Sequence, residues 1–239
     1  MLELKGVRAS YGEMEALKGV SLRVGKGEIV GLIGANAAGK STMLACVSGL
    51  LKTTAGEITF DGRRVDGAPP SRIVEAGLVQ VPEGRLLFPK LTVRENLMLG
   101  AYAKRSRTGW KARLEEVYGI LPKLKEREGQ LAGSLSGGEA QMCAIGRGLM
   151  ADPAFAMFDE PSLGLSPAAA DEVMGIIGGV REKGVTVLLV EQNVRRTLTL
   201  ADRAYVMENG KIILEGAAKA LLGDPLIRKA YLGEAGESP

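Results

Sequence analysis

No histidine occurs among the 239 residues. Mechanisms that need an imidazole base are excluded, and so are zinc sites of the usual Cys/His kind. Cysteine is almost absent as well. Cys46 and Cys143 are the only two, neither belongs to a CxxC pair, and both sit in apolar, helix-like surroundings, a pattern suited to a reducing compartment. The longest apolar runs, such as Val185 to Val190, are strand-length and far short of the roughly 20 residues that cross a bilayer. The opening MLELKGVRAS has no signal-peptide core, so work at a membrane is expected to proceed by docking on another protein. Charge of one sign is also scarce. The net charge is +3, which gives no reason to expect nucleic-acid binding. The basic cluster Lys104, Arg105, Arg107, Lys111 and Arg113 reads as a solvated loop and helix face. There is no internal repeat, low-complexity tract or long heptad run.

What is present suits a globular chain: 46% hydrophobic and 25% charged residues, with enough length to bury a core. Residues 1–25 alternate like exposed β-structure. Glu28 to Ile33 (EIVGLI) is a nearly continuous apolar run, as in a buried strand. Ser41 to Leu51 has helical spacing through Met43, Leu44, Val47 and Leu51. Ile58 to Val65 reads as a hairpin because Asp61-Gly62 suits a type I′ turn, and YVM-ENG-KIIL reads as a second one around Asn209-Gly210. From about Glu83 to Met150 helical periods dominate. Strand patterns return at Ala154 to Phe158 and Val185 to Val190, with Pro167 opening a helix between them. An α/β core interrupted by a helical insert is expected.

Gly34-Ala35-Asn36-Ala37-Ala38-Gly39-Lys40-Ser41 fits GxxxxGK[ST] in full, with a buried strand before it and an amphipathic helix after it. The phosphate-binding stretch is taken to run from Gly34 through Thr42. In such a loop the backbone N–H groups of the turn and the helix N-terminus point at phosphates. Lys40 would reach the β- and γ-phosphates of ATP, and the Ser41 hydroxyl would take a place on Mg²⁺. A carboxylate partner for the metal is expected at the end of another buried strand, where Asp159-Glu160 follow Phe158. Asp159 would hold Mg²⁺, and Glu160 would orient or deprotonate the attacking water.

Leu135-Ser136-Gly137-Gly138-Glu139, which opens a helix shortly before that strand, resembles the LSGGE signature of ABC ATPases. With both other motifs in this order, the resemblance covers essentially the whole chain. It implies an α/β P-loop NTPase fold in a single ABC ATPase domain over residues 1–239. Residues 1–82 and 151–239 would form the core with an antiparallel β subdomain, and residues 83–150 a helical subdomain. It also implies that two such domains meet head to tail, with Ser136, Gly137 and Gly138 of one closing on the ATP of the other. Tyr11 matches the aromatic that stacks on adenine.

The nearer resemblance is to the LivF group, ATPases of branched-chain amino acid transporters. It is carried by Val81 to Tyr102, by FDEPSLGLSP (Phe158 to Pro167), by VEQN (Val190 to Asn193) and by the terminal AYLG (Ala230 to Gly233). The implied partners are two membrane-spanning permease subunits, a second ABC ATPase subunit (the same chain or a related one) and, indirectly, a solute-binding protein. The implied location is the cytoplasmic face of the inner membrane, peripherally bound. Gly84 to Tyr102 matches the stretch that receives a membrane-subunit helix. Core packing would bury Leu86, Leu87, Phe88, Leu91 and Leu97, whereas docking would leave Leu87 and Phe88 partly exposed.

Four positions depart from the wider family. Ala37 stands where glycine is usual, so either the local backbone shifts or the strain of a left-handed alanine is accepted, and weakened but not abolished nucleotide binding is expected. Glu83 aligns with the Q-loop glutamine and can still coordinate Mg²⁺ or position water. Gln192 aligns with the switch histidine and can donate an amide hydrogen bond to the γ-phosphate without taking up a proton. Ser166 aligns with the D-loop aspartate. Ala37, Gln192 and Ser166 keep open one other reading, a degenerate ATP-binding clamp in an asymmetric ATPase pair, and a second alternative is a soluble ABC ATPase acting on nucleic acid or ribosomes. The second would call for long coiled coils, zinc modules or a second cassette, and the chain has none of these.

Overall fold

A computed structural model describes residues 1–231, which divide into two compact units: residues 1–67 together with 186 onward, and residues 68–185. The terminal AYLG segment lies outside the described residues, apart from the helical backbone of Ala230 and Tyr231.

The first unit opens with β1 (Leu2–Tyr11) paired antiparallel to β2 (Met14–Val24). Leu2, Leu4, Val7 and Ala9 are buried on one strand, and Leu17, Val20, Leu22 and Val24 on the other. The intervening positions meet water, the alternation of a sheet covered on one face. Strand β3 (Ile29–Ile33) is buried at every position. Helix α1 (Lys40–Val47) ends four residues before the apolar spacing does. Gly49 turns left-handed at φ 74°, and the N–H groups of Leu50 and Leu51 both donate to the Ala45 carbonyl at 2.8 and 3.0 Å. Glycine stops helices in this way because it has no Cβ to clash. Strands β4 (Ala55–Phe60) and β5 (Arg63–Arg64) form the expected hairpin. Asp61 and Gly62 have φ of 48° and 73°, both positive as a type I′ turn requires. This sheet has the order β2-β1-β4-β5.

The second unit holds α2 (Pro70–Glu75), β6 (Leu78–Val81), α3 (Val93–Gly100), α4 (Lys104–Arg107), α5 (Trp110–Ile120), α6 (Pro122–Glu126), α7 (Gly137–Leu149), β7 (Phe155–Asp159) and α8 (Pro167–Glu182). Strands β6 and β7 pair in parallel, and helices α3 to α7 lie between them in sequence. Helix α3 starts with a capping box. The Glu95 N–H donates to Thr92 Oγ1 at 3.2 Å, and the Thr92 N–H donates to the Glu95 carboxylate at 2.7 Å. Gly146 lets α3 approach α7 closely, since a Cβ there would lie 2.8 Å from Leu97 Cδ2. Helix α7 buries Met142, Ile145 and Leu149 along one face, the stripe expected from the spacing. Pro167 takes the first position of α8, also as expected.

The chain then returns to the first unit with β8 (Thr186–Glu191), α9 (Val194–Leu200), β9 (Arg203–Glu208), β10 (Lys211–Ala217), α10 (Ala218–Gly223) and α11 (Pro225–Tyr231). Strand β3 runs between β8 and β9, parallel to both. β10 closes the edge through an antiparallel hairpin at Asn209 and Gly210, with φ of 48° and 79°. Val194, Leu198, Leu221 and Ile227 pack with Ile33 and Val206. A Cβ at Gly31 would lie 2.6 Å from Thr197 Cγ2, so this glycine admits α9 against β3.

Candidate functional site

In the first unit the phosphate-type loop joins β3 to α1. Gly34 is held against the Met207 carbonyl so closely that a Cβ would collide with it. Gly39 has φ 106°, and a Cβ there would lie 2.9 Å from Met207 Cε and 3.1 Å from the Ala16 carbonyl oxygen. Neither position admits a side chain. The Gly210 N–H donates to the Ala38 carbonyl at 2.9 Å, so the β9–β10 hairpin anchors the loop. Lys40 is buried, and its ammonium donates to the carbonyls of Gly34 at 2.7 Å and Ala35 at 3.2 Å. The loop therefore encloses a fixed cation while Ala35, Asn36, Ala37 and Ser41 face solvent and Thr42 is half-buried. Ala37 has φ 62°, so of the two alternatives the left-handed strain is accepted and the backbone does not shift away from it. Tyr11 ends β1 half exposed.

Gln192 follows the fully buried β8 and is exposed. The next residue, Asn193, caps α9 by accepting the Arg196 N–H at 3.0 Å. The buried Glu191 at the end of β8 had no signal in the sequence beyond its place after the apolar run.

In the second unit Asp159 ends β7 and is buried. Glu160 follows with φ 46°. A left-handed glutamate is strained, and strain of this kind gathers where a side chain must be aimed. Ser136 is the N-cap of α7. Its hydroxyl oxygen accepts the Glu139 N–H at 3.4 Å, and the Glu139 carboxylate accepts the Ser136 N–H at 2.9 Å. That hydrogen bond and the one from the Ser136 side chain, aided by Arg127, hold the Glu139 carboxyl below its ordinary range. Ser136, Gly137 and Gly138 border an open concavity of about 520 Å³, with Lys123 and Arg127 on its rim. Glu126, Glu139 and Glu172 line it too, and they pair with these cations: Lys123 with Glu172 at 2.6 Å, and Arg127 with Glu139 at 2.8 Å and Glu126 at 3.3 Å. Ser166, on the same concavity, is the N-cap of α8 and accepts the Ala169 N–H at 3.4 Å.

The segment after β6 does not bury its leucines uniformly. Leu97 is buried, Leu87 and Leu91 are half-buried, and Leu86 and Phe88 are exposed, as are Met98, Leu99 and Tyr102. Exposure was expected at Leu87 and Phe88 on the docking reading. The exposed Phe88 and half-buried Leu87 fit that reading, and Leu86 is exposed as well, in a turn where Gly84, Arg85 and Leu86 are all left-handed. Glu83, just before this turn, is exposed. Arg147 was missed by sequence reasoning. From α7 it donates to the carbonyls of Leu86 at 2.7 Å and Arg85 at 2.9 Å. The available signal was a lone cation on an apolar helix with no carboxylate three or four residues away.

The family model described as ABC transporter matches residues 17–163. The chain belongs to the ABC transporter family. It is 47% identical over 233 residues to the high-affinity branched-chain amino acid transport ATP-binding protein BraG of Pseudomonas aeruginosa, covering 98% of this chain and 100% of that one. Among solved structures it is similar to an ATP-binding cassette of an ABC transporter in its ADP conformation, with a TM-score of 0.86 and 31% identity over 98% of this chain and 99% of that one. It is also similar to a dimeric cassette in a post-hydrolysis state bound to ADP and Pi, with a TM-score of 0.78 and 27% identity over 91% and 99% of the two chains.

In this ABC cassette the departures have local physical accounts. A cap needs a short oxygen-bearing side chain, and Ser166 supplies one as aspartate would. Ala37 takes up the glycine-like conformation at a cost of about 1–2 kcal/mol. Ser41, Asp159 and Glu83 each carry a side-chain oxygen, the hard donor type that Mg²⁺ selects. Among the described residues no three acidic or thiol side chains gather into a metal cage, and Mg²⁺ bound beside phosphates ordinarily uses only one or two protein carboxylates. No described helix is long and apolar enough to cross a membrane.

Proposed function

We propose that the chain is the ATP-hydrolysing subunit of an ABC importer for branched-chain or related amino acids. The full-length similarity to a branched-chain amino acid transport ATP-binding protein carries this reading. Lys40, Asp159 and Glu160 all stand in their motifs to support turnover.

The loop from Gly34 to Thr42 binds the phosphates through its backbone N–H groups, and Lys40 neutralises the β- and γ-phosphates. Tyr11 stacks on adenine. Ser41 and Asp159 would hold Mg²⁺, with Glu83 as a further oxygen ligand. When bound, the metal offsets phosphate charge and orients the oxygens for in-line attack. Glu160 takes the proton of the attacking water. Gln192 donates its amide to the γ-phosphate and does not titrate.

A second ATPase subunit, identical or related, meets this one head to tail. Ser136, Gly137 and Gly138 then close on the partner's ATP. Hydrolysis separates the pair and drives two membrane-spanning permease subunits, to which a solute-binding protein delivers the solute. The cassette sits on those subunits at the cytoplasmic face of the membrane. Leu86, Phe88, Leu99 and Tyr102 form the apolar surface that receives them.

A second reading is favoured by the left-handed Ala37 together with Gln192 and Ser166. On it the chain binds ATP as a clamp and leaves hydrolysis to its partner. Turnover measured with the membrane subunits present, in wild type and Glu160→Gln, separates the two.

A further inference from the structure

Gly84, Arg85 and Leu86, at φ of 77°, 65° and 46°, are the only three consecutive left-handed residues among those described. Two of the three carry a Cβ, so this backbone is strained unless its surroundings hold it. The holding group is on another element. Arg147, in the last turn of α7, donates one guanidinium nitrogen to the Leu86 carbonyl at 2.7 Å and the other to the Arg85 carbonyl at 2.9 Å. The fork geometry of arginine permits both at once, and a lysine could serve only one with comparable alignment. Desolvation by burial pushes the Arg147 pKa below its ordinary value.

The same loop is tied to the segment that leads into α7. The Gly133 N–H, three residues before the Ser136 cap, donates to the Pro89 carbonyl at 3.0 Å, and the Ala132 N–H donates to the Leu91 carbonyl at 2.9 Å. A Cβ on Gly137 would lie 3.5 Å from the Arg85 guanidinium. Between these ties the fully buried Asn96 of α3 accepts the Phe88 N–H at 2.9 Å and donates to the Phe88 carbonyl at 3.1 Å. Residues 84–91 are therefore fastened to the last turn of the helix whose N-terminus bears the signature and to the segment that leads into it. The same residues display the exposed Leu86 and Phe88 and follow directly on Glu83.

We propose that Arg147 is a positioning residue that locks the Gly84–Leu86 turn to α7, so that a displacement applied at Leu86 and Phe88 moves the signature helix as one body with the loop. The use made of that displacement rests on the proposed function: a membrane subunit pressing on Leu86 and Phe88 would shift Ser136, Gly137 and Gly138 relative to the partner's ATP. Arg147 touches neither nucleotide nor metal in this account. Its loss uncouples the docking surface from the signature and leaves the phosphate loop intact.

The test uses the full chain with Arg147→Met, which removes both donors at similar bulk, and Arg147→Lys, which keeps the charge and one donor. The first readout is amide hydrogen exchange over residues 84–91. Arg147→Met is expected to speed it about tenfold, and Arg147→Lys less, because local opening tracks the bonds that hold a segment. The second is ATP affinity by titration, expected to stay within about twofold because the phosphate loop is not involved. The third is turnover with and without the co-expressed membrane subunits. Stimulation by those subunits is expected to drop about fivefold or more while unstimulated turnover persists, as loss of a coupling contact would give. Unchanged exchange over 84–91 in Arg147→Met would overturn the proposal, and so would an equal loss of stimulated and unstimulated turnover. If the wild type shows no stimulation at all, the transport reading fails while the exchange result still decides whether Arg147 holds the loop.

Discussion

Ser136 and Glu139 cap one another at the start of α7: the Glu139 N–H donates to the serine hydroxyl at 3.4 Å, and the Ser136 N–H donates to the glutamate carboxylate at 2.9 Å. Glu139→Ala breaks this box and the ion pair from Arg127 to Glu139 at 2.8 Å. The expected loss is about 0.5–2 kcal/mol, the usual range for a helix cap. The folded carboxyl lies below its ordinary value of 4.5 because it accepts hydrogen bonds from the Ser136 backbone and side chain. Its contribution is therefore complete above that ordinary value and disappears as pH falls through the folded value. Urea unfolding across this acidic range should show a shallower acid limb in Glu139→Ala than in wild type. Identical limbs would contradict the assignment.

The phosphate loop makes opposite demands at two of its positions. Gly34→Ala places a methyl group in the Met207 carbonyl, and it is expected to abolish ATP binding and lower stability by more than about 2 kcal/mol, as overpacking against rigid backbone does. Ala37→Gly removes a left-handed side chain whose strain is about 1–2 kcal/mol. Tighter ATP binding is expected, by up to about tenfold for 1.4 kcal/mol. Calorimetric titration checks both, and unchanged affinity in Ala37→Gly would defeat the strain argument.

Cys46 and Cys143 are buried, and burial pushes each thiol up to about 11. Both stay protonated at neutral and mildly alkaline pH, and thiolate is the reactive form. Neither should react with a water-soluble disulfide reagent in the native protein at about pH 8, and both should react once urea unfolds it. Rapid labelling of the native protein would show that one of the helices carrying them opens readily.

Gln192→Ala removes the amide assigned to the γ-phosphate. The expected loss is about 10²–10³ in turnover, by analogy with the removal of one oxyanion donor. The assay needs the full set of partner chains, and a normal rate there would exclude the assignment.

Much of the fold was legible because its signals are local. Asp61-Gly62 and Asn209-Gly210 each mark a tight hairpin through residues that accept positive φ. EIVGLI and the apolar run at Val185–Val190 mark buried strands, the second shifted by one residue to Thr186–Glu191. Strand β6 went unread because Leu78–Val81 is too short to show a period. The end of α1 went unread because Leu51 kept the helical spacing while Gly49 had already turned the chain. The phosphate loop and the signature were legible because each concentrates its residue types within one short segment. Arg147 was not, since its partners are carbonyls 61 and 62 residues away, and a carbonyl leaves no mark in a sequence.

The central claim is that Glu160 activates water for ATP hydrolysis in a transport ATPase. The measurement that tests it is ATP turnover by wild type and Glu160→Gln, each alone and then with the co-expressed membrane subunits. Turnover is expected to rise with those subunits and to collapse in Glu160→Gln while ATP still binds. ATP binding without turnover in every assembly of the wild type would contradict it and leave the chain as the clamp half of an asymmetric pair.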